Sequence, residues 1–169
     1  MSYAIVYSSR TGNTKLLAEK MHAELSEEYC VYYGRPDDKA LNADLLFVGF
    51  WTDKGTCDED TKHFLEKLHD KKVFLFGTAG FGGSQQYFDS ILERVKGILP
   101  EDNHVIGSFM CQGKMPMSVR RYYESNLCDG KNQKEVEKMI ENFDMALVHP
   151  DETDMSALVN STKHINIAC

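Results

Sequence analysis

Ser9-Arg10-Thr11-Gly12-Asn13-Thr14 is the stretch whose residue types and spacing are best suited to chemistry. It joins a short β-branched and aromatic run, Tyr3-Ala4-Ile5-Val6-Tyr7, to an amphipathic run from Lys15 to Glu28 with Leu17, Met21 and Leu25 four residues apart. The first run reads as a buried strand and the second as a helix. A strand that enters a helix through such a turn leaves backbone N–H groups unpaired at the helix start, where the positive end of the helix dipole adds to them. Together they make a site for a phosphate. Ser9, Thr11 and Thr14 add hydroxyls, Asn13 an amide, and Gly12 lets the backbone close round an anion with no Cβ in the way. Hydrogen bonds to a charged group contribute about 1.5–3 kcal/mol each, so about four or five supply much of the ~8 kcal/mol that micromolar binding requires. The plainer reading is a helix-capping turn with no ligand.

Two further stretches carry binding chemistry. Trp51-Thr52-Asp53-Lys54-Gly55-Thr56-Cys57 holds the only tryptophan of the chain, expected just past the end of a strand. There it either walls a planar ring by offset stacking or packs onto the helix that follows. Thr78-Ala79-Gly80-Phe81-Gly82-Gly83-Ser84 sets glycines on both sides of Phe81, which predicts close backbone approach to a flat ligand. Neither loop is the dinucleotide fingerprint, which belongs after the first strand with an acidic residue further on. The first loop also lacks the upstream glycine of a P-loop.

Strands are predicted at 3–7, 29–33, 44–50, 72–77 and 104–110, the last weakened by Gly107 and Ser108. Helical periodicity follows in Thr61, Phe64, Leu65 and Leu68, then in Phe88, Ile91, Leu92 and Val95 up to Pro100. Pro116 opens a helix through Tyr122 and Tyr123, and Asn132 is placed to cap another with Val136, Met139, Ile140 and Phe143 on its buried stripe. A helix and tail close the chain over 151–169. About ten residues between the second and third strands leave room for a short helix or turn only. Alternating strands and helices imply an α/β fold, a doubly wound five-stranded parallel sheet in the order 2-1-3-4-5. In that order the three loops leave the carboxyl edge beside strand one, where the winding reverses and ligands bind.

At 169 residues the chain fits a single domain, 1–169, with neither repeats nor a linker. A net charge of −7 argues against nucleic acid and against an anionic membrane surface, and suits basic partners. No apolar stretch approaches a membrane span, no signal peptide is expected, and Cys30, Cys57, Cys111, Cys128 and Cys169 are scattered. Reduced thiols in a cytoplasm follow, and the histidines show no metal-ligand spacing, so no metal site is expected.

A phosphate socket beside two aromatic-bearing loops points to a phosphorylated planar ring. The chain resembles the flavodoxin family here: Ser9–Thr14 is similar to the FMN-phosphate motif [S/T]-x-T-G-x-T, and the likeness runs from the first strand to the helix near Phe143. The resemblance implies a flavodoxin-like fold and non-covalent FMN, with Ser9, Thr11, Gly12, Asn13 and Thr14 on the phosphate. Arg10 stands where small polar residues are usual, and is expected either to pair with the phosphate or to point to solvent. Phe50, Trp51, Thr52, Asp53 and Gly55 would line one side of the ring, and Thr78, Ala79, Gly80, Phe81 and Gly82 the other. The tyrosine that commonly covers the second ring face aligns with Gln85, so Phe81 or Tyr87 substitutes or that face stays open. Met110-Cys111-Gln112-Gly113-Lys114-Met115-Pro116 resembles a flavodoxin-domain branch of anaerobic bacteria, some of whose members accompany reductases, including a bilirubin reductase.

The implied function is electron transfer. FMN supplies the redox chemistry, no residue acts as acid, base or nucleophile, and electrons pass singly to a redox partner enzyme. Asp53, the acidic surplus and burial are expected to disfavour the reduced anionic ring and lower its potential. Asp53, Asp58, Glu59 and Asp60 form the candidate docking edge. Cys57 and Cys111 read as spare cysteines in preference to thiols acting at the flavin, and Tyr122 and Tyr123 belong either to helix packing or to a partner surface. The competing enzyme reading is an FMN-dependent NAD(P)H:quinone or flavin reductase with an open ring face. A phosphoacceptor receiver domain is the least favoured reading, because Ser8-Ser9 and Phe50-Trp51 stand where that chemistry needs carboxylates.

Overall fold

The computed structural model describes residues 1–128 and 132–167. Cys169, with the end of the expected tail, lies outside the described residues. In chain order the elements are β1 (Tyr3–Tyr7), α1 (Asn13–Glu24), β2 (Cys30–Gly34), β3 (Leu45–Asp53), β4 (Thr56–Cys57), α2 (Glu59–Leu65), β5 (Lys72–Ala79), α3 (Gln85–Lys96), β6 (His104–Gln112), α4 (Met117–Cys128), α5 (Gln133–Ala146) and α6 (Glu152–Thr162). The long strands are all parallel in the order β2-β1-β3-β5-β6, which is the expected 2-1-3-4-5 winding. To this the structure adds β4, a two-residue strand paired antiparallel to the end of β3.

Side chains alternate across the sheet, and both faces are covered, so the strands read as nearly unbroken apolar runs. Tyr3, Ile5, Phe47, Phe74 and Phe76 face α1 and α6, meeting Leu17, Met21 and Leu158. Ala4, Val6, Leu46, Val48 and Leu75 face α2 and α3, meeting Phe64, Leu65, Ile91 and Val95. Two glycines let the phenylalanines lie across neighbouring strands. A Cβ on Gly49 would fall 2.4 Å from the Phe76 ring, and one on Gly77 would fall 2.6 Å from the Phe50 ring. α4 and α5 pair with each other round a satellite core of Tyr123, Val136 and Phe143.

Several boundaries differ from expectation for identifiable reasons. α1 stops at Glu24, where Leu25 turns extended, its N–H still bonded to Met21 O and its side chain packed on the same core as Leu17, Ala18 and Met21. A short 3-10 turn, Glu27–Tyr29, then leads into β2, and another, Asp38–Asn42, fills the brief β2–β3 link. β3, β5 and β6 run past their expected ends because they pair there, Trp51 with Thr78 and Thr78 with Cys111. Gly107 and Ser108 do not break β6; Gly107 makes room for the Phe74 ring, 2.9 Å from where its Cβ would stand. Asn132 precedes α5 in a left-handed conformation and accepts helix N–H bonds through its carbonyl, with no side-chain cap. α6 has a full capping box between Asp151 and Asp154, and His149 joins it at 2.6 Å from Asp154.

Candidate functional site

The helix start behaves as its composition suggests. Gly12 takes the left-handed conformation (φ 90°) that turns the chain into α1. The first helical bond is donated by Leu16 N–H to Gly12 O, and Lys15 N–H donates to Ser9 Oγ at 3.3 Å. That leaves the N–H groups of Asn13 and Thr14, in the first helical turn, without an intrahelical acceptor. Asn13 is buried; its Nδ2 donates to Thr11 Oγ1 and to Lys114 O, both at 2.9 Å, while Oδ1 has no partner. Thr14 differs from expectation. Its hydroxyl is fully buried behind the loop, donating to Phe50 O at 3.1 Å. Because that spends its only proton, the Thr78 hydroxyl 3.1 Å away must donate to Thr14. Thr14 therefore ties α1 to β3 and β5 instead of offering its hydroxyl to a phosphate.

The second loop is a hairpin. Lys54 and Gly55 have φ of 50° and 82°, the all-positive pair that a tight two-residue turn between antiparallel strands requires. Trp51 thus sits inside β3, not past its end, and Arg94 Nη1 donates to Gly55 O at 2.8 Å to hold the turn. The Arg10 guanidinium carbon stands 5.3 Å from the Trp51 ring centroid, so this cation takes an aromatic partner. Phe50, expected beside the ring, is fully buried in the core, because successive strand residues face opposite ways.

The glycines of the third loop serve protein contacts. A Cβ on Gly80 would fall 2.5 Å from Met115, and one on Gly82 would fall 2.4 Å from Gln112. Those side chains, not a flat ligand, use the space. Asn142 of α5 fixes the loop further: its Nδ2 donates to Gly80 O at 3.0 Å, and its Oδ1 accepts from Gln112 Nε2 at 3.0 Å and from Gly82 N–H at 3.3 Å. The α4–α5 hairpin is therefore bolted to the site.

Between the loops lies a cavity of about 320 Å³. It gathers Arg10, Thr11, Asn13, Trp51, Thr52, Gly55, Thr78, Ala79, Gly80 and Phe81 from the sequence reading. Ser9, Gly12, Thr14, Phe50, Asp53 and Gly82 are not among its lining residues. Tyr87, expected as an alternative cover for the second ring face, lines it too, and added to it are Lys54, Val119 and a fourth loop, Gly113-Lys114-Met115-Pro116. The residue types of that loop give no hint of a cavity wall; only the parallel pairing of β5 with β6 brings it beside Asn13. The charged lining residues are Arg10, Lys54 and Lys114, with no carboxylate. This reverses the electrostatics expected from Asp53. The acidic edge changes too, since Asp58 is buried and caps α2, accepting from Thr61 N–H and from the Thr61 hydroxyl.

These features fit a flavin mononucleotide. The free N–H groups and the surrounding cations suit a phosphate, and the orphaned Asn13 Oδ1 suits a polyol hydroxyl that donates to it. Trp51, Phe81 and Tyr87 offer aromatic walls for the ring.

The flavodoxin domain family model matches residues 4–163. The chain belongs to the flavodoxin-domain family. Among its relatives is the flavodoxin-like domain-containing protein BilS of Clostridium symbiosum, 42% identical over 174 residues, with 93% of this chain and 92% of that protein covered. BilS of Clostridioides difficile is 36% identical over 162 residues, covering 92% and 90%. In structure, the two-electron reduced flavodoxin of Megasphaera elsdenii superimposes with a TM-score of 0.50 at 22% identity, covering 85% of this chain and 99% of that one. Family membership makes the cavity at the carboxyl edge the place to look for a flavin.

Among the described residues no helix is long and apolar enough to cross a membrane. Cys57 and Cys111 are free and buried, and burial raises both thiols, Cys57 to about 11.

Proposed function

We propose that this chain binds FMN non-covalently in the cavity and passes single electrons to a redox partner protein, a reductase or terminal oxidoreductase. The observation that carries the reading is the convergence, in one cavity, of an open helix start, an orphaned buried acceptor at Asn13, the Trp51 ring and cations without carboxylates.

When bound, FMN supplies the electron chemistry. The chain's own residues divide the remaining work. Asn13 at the helix start and Arg10 hold the phosphate, with Thr11 at the rim, while Ser9 stands outside the cavity and accepts from Lys15 N–H. Asn13 Oδ1 orients the polyol. Trp51 and Thr52 on one side, and Thr78 to Phe81 on the other, exclude water from the ring. Lys54 and Lys114 favour negative charge beside them and so raise the potential of whatever ring they face. Asp53, Glu59 and Asp60 remain at the surface as the docking edge for a basic partner, without Asp58. The buried free thiols suit a reducing compartment such as the cytoplasm.

The test is addition of FMN to flavin-free protein, followed by redox titration. Quenched flavin fluorescence, a raised melting temperature and separate one-electron steps are expected, with no direct reduction by NADH or NADPH. Absence of quenching refutes the cofactor assignment. Rapid reduction by either nicotinamide refutes the carrier and favours the NAD(P)H-dependent reductase.

A further inference from the structure

The two peptide groups on either side of Phe81 are held by one side chain from a distant helix. The carbonyl of the peptide before Phe81 is Gly80 O, and Asn142 Nδ2 donates to it at 3.0 Å. The N–H of the peptide after Phe81 is that of Gly82, and it donates to Asn142 Oδ1 at 3.3 Å. Asn142 thus spends both ends of its amide on the two peptides that set the backbone direction of a single residue. Gln112, buried at the end of β6, closes the arrangement: its Nε2 donates to Gly80 O and to Asn142 Oδ1, each at 3.0 Å. Gly80 O then has two donors, which fills both of its lone pairs. That carbonyl is committed to α5 and β6, and Phe81 is left facing the flavin cavity.

Phe81 needs such a hold. It lines the cavity yet is 41% exposed, in a run that holds Gly80, Gly82 and Gly83. Glycine has more conformational freedom to lose than any other residue, so this backbone has little stiffness of its own. Tyr87, the other aromatic candidate for the second ring face, is held independently. It lies in the first turn of α3 with its N–H on Ser84 Oγ at 3.3 Å and its ring 6.1 Å from that of Phe88. Asn142 itself stands on a fixed support. Its neighbour Phe143 is fully buried in the satellite core, beneath the guanidinium of Arg120, which also pairs with Asp144. A wall that must be in place before its ligand arrives is set by locked residues behind it.

We propose that Asn142 is a positioning residue for the flavin site: by gripping the peptides before and after Phe81, with Gln112 as its anchor, it fixes Phe81 as the cover of the second ring face. This role rests on the FMN reading and deepens it, because residue types alone leave that face to Phe81, to Tyr87 or to solvent. Asn142 does not line the cavity, so it acts through Phe81.

A double-mutant cycle separates that role from a general loss of structure. FMN affinity is read by fluorescence quenching, and the ring's surroundings by visible circular dichroism of the bound flavin. The set is the parent, Phe81→Ala, Asn142→Asp, Asn142→Leu and the two double variants. Asn142→Asp keeps the shape and the acceptor but loses the donor to Gly80 O, and Asn142→Leu loses both. Each single variant is expected to weaken FMN about tenfold, the worth of one aromatic contact, and to alter the dichroism. With Phe81 already removed, either Asn142 substitution is expected to cost less than about twofold more. The proposal is overturned if neither Asn142 variant changes affinity and dichroism, or if the loss is as large without Phe81 as with it. Hydrogen exchange of the Gly82 amide in flavin-free protein is expected to quicken about tenfold in Asn142→Leu. Should the parent fail to bind FMN, the carrier reading falls, whereas unchanged Gly82 exchange removes the Asn142 grip whether or not FMN binds.

Discussion

The Arg10 guanidinium lies over the Trp51 ring, 5.3 Å from its centroid, and so joins the loop after β1 to the strand that carries the only indole. An exposed cation–π contact of this kind contributes about 0.5–1 kcal/mol. Arg10→Ala should lower stability by no more than that, yet make Trp51 markedly more accessible to acrylamide quenching. Unchanged quenching would show that the pair does not hold the ring.

Thr14 is the second case where position outranks residue type. In Thr14→Val the shape is kept, but Phe50 O and the Thr78 hydroxyl both lose a partner inside the core. Leaving a buried polar group unpaired costs about 1–3 kcal/mol. A urea titration should register that loss, and FMN affinity should fall less in this variant than in Asn13→Ala.

The cavity charges predict the direction of a potential shift. Lys54 is exposed, so its effect on charge in the cavity is screened to ~0.2–1 kcal/mol. Lys54→Gln should therefore lower the one-electron potential of the bound flavin by roughly 10–40 mV, read by equilibrium titration. A rise would restore the original expectation that acidic residues govern the ring.

Burial lifts Cys57 from its ordinary 9.0 to about 11, and the adjacent Asp58 charge adds to the effect. Below pH 9 the thiol is protonated in folded and unfolded chains alike. Between pH 9 and 11 the unfolded chain sheds a proton that the folded one keeps, so folding stability falls across that window. The unfolding free energy of the parent, read from urea titrations, should drop more from pH 8 to 10.5 than that of Cys57→Ala, by about 2 kcal/mol. At pH 8 the native protein should leave Cys57 and Cys111 unalkylated by iodoacetamide.

Local pattern was enough to fix the strand-and-helix alternation, the parallel winding and the anion-ready turn at Gly12. Those follow from period, β-branching and the geometry of a helix start, which are properties of neighbouring residues. Pairing between distant strands decided the rest. Register with β5 carried β3 on through Trp51, and the Lys54-Gly55 hairpin then turned Lys54, not Asp53, into the cavity. Gly80 and Gly82 look like room for a ligand until β6 and α5 bring Met115, Gln112 and Asn142 against them. A residue's type sets which contacts it is able to make; which of them it does make depends on parts of the chain that only folding brings near.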